Sequence, residues 1–347
     1  MRASRVVRAA LALAGVAALL GGCDFAKQSS SSADTGTVAH VKLALDWTPN
    51  TNHTGIYVAL QKGYYKDQGI DLTLLPYSSA VTPEQLVATG QAEFGISFTE
   101  SVTAARAVGE PLVSVAAIFQ HNTSALVSLK SSGLDTVAKL AGKRYAGFGA
   151  PYEQPVISQV LACGGASSTD FQNVTTDLDP VEALKSGKFD FAWIYMGVEG
   201  IQAQHEGLTL NTFPLVDYCI PDYYSPVIVT NQSFIQQHGD IIKRFLKATS
   251  EGYTYAAQHP TDAANLLMQA VPKGTFDDPG FVRDSQAYQS PRYIADAKCW
   301  GQQTLEKWTN YPRFMFNHHA IQDANGNPIT HEPDYAAAFT DAFLPPC

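Results

Sequence analysis

A chain of 347 residues, of which 45% are hydrophobic and 16% charged, has the composition of a folded globular protein and is long enough for two ordinary domains. This composition excludes a disordered or fibrous chain. The formal net charge of −9 argues against nucleic acid as a partner and favours a water-facing domain.

The first residues have the pattern of a secretory signal peptide. Three arginines precede an apolar run at 9–20 that is too short to span a membrane. The run ends in Leu20-Gly21-Gly22-Cys23, which resembles the bacterial lipobox, whose cysteine receives lipid. We therefore expect a signal peptide at 1–22, lipidation at Cys23, a flexible tether at 23–40 and an extracytoplasmic protein anchored to the membrane by lipid. Removing 1–22 takes away three arginines and no acid, so the formal charge of −9 becomes −12.

The first unit predicted after the tether is a strand, a loop and a helix. Residues 43–45 end a buried strand, and residues 54–60 have the apolar spacing of a helix. The loop between them holds an aromatic ring, two amides and an imidazole, namely Trp47, Asn50, Asn52 and His53. Helix capping explains one of the amides, but it does not explain Trp and His beside them. We therefore favour a ligand site here, since open α/β sheets bind ligands at the carboxyl ends of their strands.

Strands and helices then alternate, which predicts parallel pairing and ligand loops at the strand ends. Strands are expected at 70–76, 93–98, 111–120, 124–129, 143–147 and 225–230. Helices are expected at 54–62, 83–89, 101–108 and 155–163, and then at 241–259, 261–270, 278–288, 295–308 and 335–343.

The architecture restarts near residue 143. A strand again runs into a glycine-rich loop, 147–153, and a helix, and the segment 87–96 is echoed by 184–193. This repetition predicts two similarly built α/β lobes with a cleft between them. The crossover segments 124–129 and 225–230 would form a two-segment hinge. Lobe I is expected at 41–126 plus 228–347, and lobe II at 127–227.

Several stretches together resemble the NMT1/THI5-like, or SsuA/THI5-like, solute-binding proteins of ABC importers. They are LDWTPNTNHTGIYVA (45–59), KGYYKDQGIDL (62–72), GQAEFGIS (90–97), TAARAVGEP (103–111), FDFAWI (189–194) and DYYSPVIV (222–229). The resemblance covers roughly 41–345 and is greatest to the branch that captures the thiamine-precursor pyrimidine, of the formyl-aminopyrimidine type. It implies a type II periplasmic-binding-protein fold of two hinged α/β lobes and delivery of the ligand to a membrane permease.

Two alternatives follow from the same resemblance. Other branches bind riboflavin, sulfonates or nitrate. The related fungal pyrimidine synthase is an enzyme that needs a lysine and a histidine where this chain has Ser97 and Ser101, and a cysteine-rich run that is absent here, the nearest cysteine being Cys219. We therefore expect a binding protein rather than an enzyme, monomeric and without a cofactor. No metal-binding cluster is expected either, because His318-His319 has no spaced third ligand.

A planar heteroaromatic ligand needs aromatic faces for stacking and a few donors and acceptors at the edge of its ring. The candidate faces are Trp47, Phe98, Tyr152, Trp193, Tyr195 and Tyr223. The candidate edge partners are Asn50, Asn52, His53, Thr99, Glu100, Gln120, Glu153 and Asp222. About half of these are expected to miss the ligand. Glu153 has two interpretations: its carboxylate pairs with the ligand, or it is a solvated loop acid or a helix-capping charge.

Four cysteines follow Cys23, and an even number in an oxidising compartment predicts two disulfides with three possible connectivities. Spacing alone does not choose among them. Cys163 and Cys219 fall in the predicted lobe II, whereas Cys299 and Cys347 fall in lobe I. A bridge between lobes would restrain the hinge, so we expect the pairs Cys163–Cys219 and Cys299–Cys347.

Overall fold

A computed structural model of the protein describes residues 38–347. The predicted signal peptide, the lipidation site Cys23 and most of the predicted tether lie outside the described residues. Strand β1 begins at Ala39, so residues 39–40, which the sequence assigns to the tether, belong to the folded part. Within 38–347, the helices are all too short or too polar to cross a membrane.

The described residues form two five-stranded sheets. The strands are β1 (Ala39–Ala44), β2 (Ile70–Leu75), β3 (Phe94–Ser97), β4 (Leu112–Ala117), β5 (Ser124–Leu129), β6 (Arg144–Gly147), β7 (Gln172–Thr175), β8 (Phe191–Tyr195), β9 (Leu210–Pro214) and β10 (Val227–Asn231). The first sheet has the order β2-β1-β3-β10-β4 and the second β7-β6-β8-β5-β9. Strands β1, β2 and β3 pair in parallel, as do β6, β7 and β8. In contrast, β10 and β5 are antiparallel to their neighbours.

Helices cover the sheets and form most of the C-terminal third. They are α1 (Thr54–Gln61), α2 (Tyr64–Asp67), α3 (Pro83–Ala88), α4 (Thr99–Ala107), α5 (Glu153–Cys163), α6 (Pro180–Lys185), α7 (Ile201–His205), α8 (Gln232–Gln237), α9 (Gly239–Gln258), α10 (Pro260–Ala270), α11 (Pro279–Gln289) and α12 (Leu305–Asn317). The predicted helix 295–308 is wrong: residues 295–304 are irregular, and α12 starts where the Thr304 side chain accepts a hydrogen bond from the Lys307 backbone N–H. The predicted helix 335–343 shrinks to one turn, Ala336–Ala338.

The chain crosses between the sheets just before the two strands that the sequence assigns to the hinge. It leaves the first sheet after Ala117 and enters the second at Ser124, and it returns between Pro214 and Val227. Strand β5 therefore lies wholly in the second sheet and β10 wholly in the first. The connections 118–123 and 215–226, rather than the strands, join the two lobes.

Each sheet is the centre of its own hydrophobic core, and helix α12 belongs to both. Trp308 packs among residues of the first sheet, including Val227. One turn later, Tyr311, Phe314 and Met315 pack in the core of the second lobe. Residues 311–321 thus pack outside the lobe to which the sequence-based boundary assigns them. Helix α12 therefore joins the two lobes by packing, in addition to the two crossing segments.

The disulfides of the structure have the pairing expected from the sequence. Cys163 is bonded to Cys219, with their Cα atoms 6.0 Å apart, and Cys299 to Cys347, with a separation of 5.7 Å. The first bridge ties the end of α5 to the connection that leads out of the second sheet. The second ties the C-terminus to the irregular segment before α12.

Candidate functional site

A cavity of about 800 Å³ opens between the two lobes. Its walls are the segments that follow the carboxyl ends of β1, β2 and β3 in the first lobe and of β6, β7 and β8 in the second. Because parallel strands end at one edge of a sheet, each lobe brings three such segments together there. The loop after β1 predicted as a ligand site is one of them, and it contributes Asp46, Trp47, Asn50 and Asn52.

Aromatic rings line the cavity from both lobes. Five of the predicted aromatic residues lie in its wall, namely Trp47, Phe98, Tyr152, Trp193 and Tyr195. The rings of Phe98, in the first lobe, and Tyr195, in the second, lie 6.2 Å apart and are nearly parallel. The sequence analysis missed two further rings of the wall, Tyr77 and Phe148. The ring centroids of Tyr77 and Trp47 lie 4.6 Å apart, and those of Phe148 and Trp193 lie 6.1 Å apart. The cavity therefore offers stacking surfaces to a flat ring.

Glu100, one of the predicted edge partners, is the most deeply buried carboxyl group of the cavity wall. It is the second residue of helix α4, is 4% exposed and accepts a hydrogen bond on Oε1 from Tyr223, at 3.3 Å. Its Oε2 is buried and has no hydrogen-bond partner among the described residues. Burial raises the pKa of Glu100 to about 8, and the nearby charge of Glu84 adds to the rise. The Glu100 carboxyl group is therefore mostly protonated at pH 7.

Glu199 is a second cavity carboxyl group, and the sequence analysis missed it. It lies in a single π-helical turn, Met196–Gly200, directly after β8, and such turns are frequent at functional sites. Its Oε2 accepts a hydrogen bond from the backbone N–H of Tyr195 at 2.9 Å. Burial raises the pKa of Glu199 to about 7, so both protonation states are populated at neutral pH. Its place right after a strand end is the signal that could have found it.

Asp46 and Glu84 are two more acids of the wall, which also includes Glu110, Asp177 and Asp323. His53, which the sequence predicts as a ligand residue, is fully buried behind Asp46. The Nδ1 atom of His53 accepts from the backbone N–H of Asn50, which leaves the proton on Nε2, and Nε2 donates to Asp46 Oδ1 at 2.6 Å. His53 therefore orients Asp46 and does not reach the cavity.

The cavity wall has no cationic side chain: within the described part of the chain, none of its lining residues is Lys, Arg or His. Burial raises the pKa of Glu84, on helix α3, and the charge of Asp46 raises it further. The carboxyl groups of the wall thus act on one another without a protein cation between them. Such a cavity favours neutral or positively charged ligands over anions.

Glu153 does not line the cavity, and its side chain does not cap helix α5 but binds the loop before that helix. It is fully buried, and its carboxylate accepts hydrogen bonds from the backbone N–H groups of Phe148, Gly149 and Ala150 at 2.7–2.9 Å. Both carboxylate oxygens are used. Glu153 therefore holds the glycine-rich loop, and through it the ring of Phe148, in place.

Four more predicted ligand residues lie outside the cavity wall. The Thr99 hydroxyl donates to a backbone carbonyl, and Gln120 Nε2 donates to the carbonyl oxygen of Gln302. Asp222 forms an ion pair with Lys307, with an N–O distance of 2.6 Å. Tyr223 is fully buried behind Glu100. Each of these polar groups has a partner in the protein, which satisfies it without a ligand.

Comparisons with known proteins identify a family and several relatives of this chain. The family model described as NMT1/THI5 like matches residues 50–263. The formylaminopyrimidine-binding protein of Halalkalibacterium halodurans is 26% identical over 250 residues, which cover 72% of this chain and 76% of that protein. The 4-amino-5-hydroxymethyl-2-methylpyrimidine phosphate synthase of Legionella pneumophila is also 26% identical, over 238 residues that cover 68% of this chain and 75% of the synthase.

Solved structures share the fold. The alkanesulfonate-binding protein SsuA from Xanthomonas axonopodis pv. citri, bound to MOPS, superposes with a TM-score of 0.65 at 14% identity, covering 88% of this chain and 99% of its own. A Candida albicans protein with the generic periplasmic binding protein fold superposes with a TM-score of 0.58 at 16% identity, covering 89% of this chain and 98% of its own. The two-lobed periplasmic-binding fold expected from the sequence is therefore confirmed.

Proposed function

The chain belongs to the NMT1/THI5-like family, and on this basis we propose that it is the extracytoplasmic solute-binding component of an ABC importer. Its ligand is an amino-substituted pyrimidine, the class to which formylaminopyrimidine belongs. The protein captures the ligand between its lobes and delivers it to a membrane permease, while lipid on Cys23 holds it at the membrane.

The observation that carries this proposal is the combination of aromatic rings and carboxyl groups in one cavity. Phe98 and Tyr195 offer stacking surfaces from opposite lobes. Glu199 supplies the edge contact: its Oε2 is held by the Tyr195 backbone, which leaves Oε1 for a ligand. An aminopyrimidine presents an N–H donor beside a ring nitrogen acceptor, and a carboxyl group matches this pair with its own acceptor and donor. A pKa of about 7 lets Glu199 share one proton with the ring.

Sulfonate and nitrate are the less favourable ligands. An anion is ordinarily held by Arg, Lys or several backbone N–H groups. The described wall of this cavity contains carboxyl groups and no cationic side chain, so a sulfonate would bring a negative charge toward Asp46 without a cation to balance it. The likeness to sulfonate-binding structures thus concerns the fold, and the lining of the cavity argues for a different ligand class.

A pyrimidine synthase is the second candidate function, because relatives of that name match at similar identity. Two features of the structure argue against it. Ser97 stands where the resemblance places the lysine of the synthase. It is buried, and its hydroxyl donates a hydrogen bond to Glu84. The described cavity wall also lacks any lysine that could form a Schiff base, and any cation for a phosphate group. We therefore propose binding and release of an unchanged ligand.

The test is a binding assay on the mature chain with a panel of solutes. The panel contains formylaminopyrimidine, 4-amino-5-hydroxymethyl-2-methylpyrimidine, riboflavin, taurine and nitrate. A pyrimidine should bind one per chain by calorimetry and raise the free energy of unfolding by ~2.7 kcal/mol at a hundred times its Kd. A response to taurine or riboflavin with none to the pyrimidines would contradict the ligand assignment. A changed ligand, detected by mass spectrometry after incubation, would favour the enzyme.

A further inference from the structure

Glu100 carries the one carboxyl oxygen of the described cavity wall that is buried without a hydrogen-bond partner, and the proposed recognition of the pyrimidine ring does not use it. It is 4% exposed and lines the cavity, and its Oε2 atom is buried without a partner among the described residues. A buried polar atom without a hydrogen bond is costly, so such an atom in a binding cavity indicates a missing partner. A ligand group in the cavity can supply that partner.

The surroundings of Glu100 indicate the charge of the missing partner. Glu84, from α3, raises the pKa of Glu100, and Asp46, from the loop after β1, raises the pKa of Glu84. The other titratable groups near Glu100 are the hydroxyls of Tyr152, Tyr195, Tyr223 and Tyr311, and none of them is a cation. When no cation is bound, protons on the carboxyl groups relieve this repulsion. A positively charged ligand group would relieve it instead, and would let Glu100 ionise and form a charge-assisted hydrogen bond.

We propose that the natural ligand carries a positive charge next to its pyrimidine ring, as a primary ammonium group on the 5-methylene would, and that Glu100 selects this charge. The inference rests on the proposed function, since it assumes that the ligand is an aminopyrimidine whose ring stacks on the aromatic side chains of the cavity. It narrows the ligand class from aminopyrimidines in general to aminomethyl-pyrimidines. Glu199 then pairs with the ring edge, and Glu100 pairs with the ammonium group.

A matched pair of probes isolates the charge. One is 4-amino-5-hydroxymethyl-2-methylpyrimidine, which is neutral outside its ring, and the other is the analogue with an amine in place of the hydroxyl. The two have nearly the same size, so they differ chiefly in charge at pH 7. Hydrogen bonds to charged groups are roughly twice as strong as neutral ones, so the amine should bind roughly tenfold tighter. The N-formyl derivative of the amine is a third probe without the charge.

The experiment measures the three dissociation constants by calorimetry for the wild-type chain, Glu100→Gln and Glu306→Gln. Glu306 is exposed on α12, outside the cavity wall, so its variant makes the same chemical change as a control. The amine should bind the wild type and Glu306→Gln roughly tenfold tighter than the alcohol, and Glu100→Gln should lose this preference mainly through weaker binding of the amine.

Each other result contradicts a defined part of the argument. Equal binding of amine and alcohol by the wild type, or tighter binding of the formyl derivative, would overturn the inference and leave the proposed function intact. A preference that survives in Glu100→Gln would overturn the role of Glu100. Binding of none of the three pyrimidines would overturn the proposed function itself. The wild-type comparison alone decides the charge preference, so the inference stays testable even if Glu100→Gln does not fold.

Discussion

Replacing Glu100 by Gln should make the protein more stable relative to the wild type as the pH rises. Burial raises the pKa of Glu100 from 4.5 to about 8, so the folded chain holds this proton more tightly than the unfolded chain by up to ~5 kcal/mol. Between pH 4.5 and 8 the folded state binds more protons than the unfolded state, and the free energy of unfolding therefore falls as the pH rises. Gln has the same shape and no proton to lose, so the variant escapes this fall.

Urea denaturation at pH 5 and at pH 8.5, without ligand, measures the effect. The difference in unfolding free energy between Glu100→Gln and the wild type should move in favour of the variant by several kcal/mol, with ~5 kcal/mol as the upper limit. The other carboxyl groups of the cavity are present in both proteins, so most of their titration cancels. Glu306→Gln should keep a constant difference from the wild type. A constant difference for Glu100→Gln as well would refute the argument that burial keeps this group protonated.

Three further predictions concern the cavity wall, the glycine-rich loop and the disulfides. Trp47→Ala should weaken pyrimidine binding by ~1–2 kcal/mol through lost stacking, as measured by calorimetry. An unchanged affinity would show that Trp47 does not contact the ligand. Glu153→Ala should lower the free energy of unfolding by ~1–3 kcal/mol, because three backbone N–H groups lose their acceptor; a smaller loss is expected for Glu153→Gln, which keeps one acceptor oxygen. Non-reducing peptide mapping should recover Cys163 with Cys219 and Cys299 with Cys347, and a peptide joining Cys163 to Cys299 would contradict the pairing.

The alternation of strands and helices made the fold predictable from the sequence, because period and glycine stops are local signals. The same local signals located the strand-end loops that form the cavity, including the loop that carries Trp47. They failed where tertiary packing decides the structure. Residues 295–304 have a composition compatible with a helix, yet they fold irregularly against the first sheet, with Gly301 paired to Ala117. Helix α12 instead begins at a capped Thr304 and packs into both lobes.

Side-chain direction is what the sequence could not supply, and the pair Glu153 and Glu199 shows why. Both acids follow the end of a strand in the second lobe, and both accept hydrogen bonds from backbone N–H groups that precede them in the chain. The three N–H groups on Glu153 occupy both of its oxygens, so it is a structural residue. Glu199 accepts one through Oε2, and its Oε1 makes the ligand contact that we propose. The number of loop N–H groups that converge on each carboxylate depends on the backbone path, and this path decides which acid can recognise a ligand.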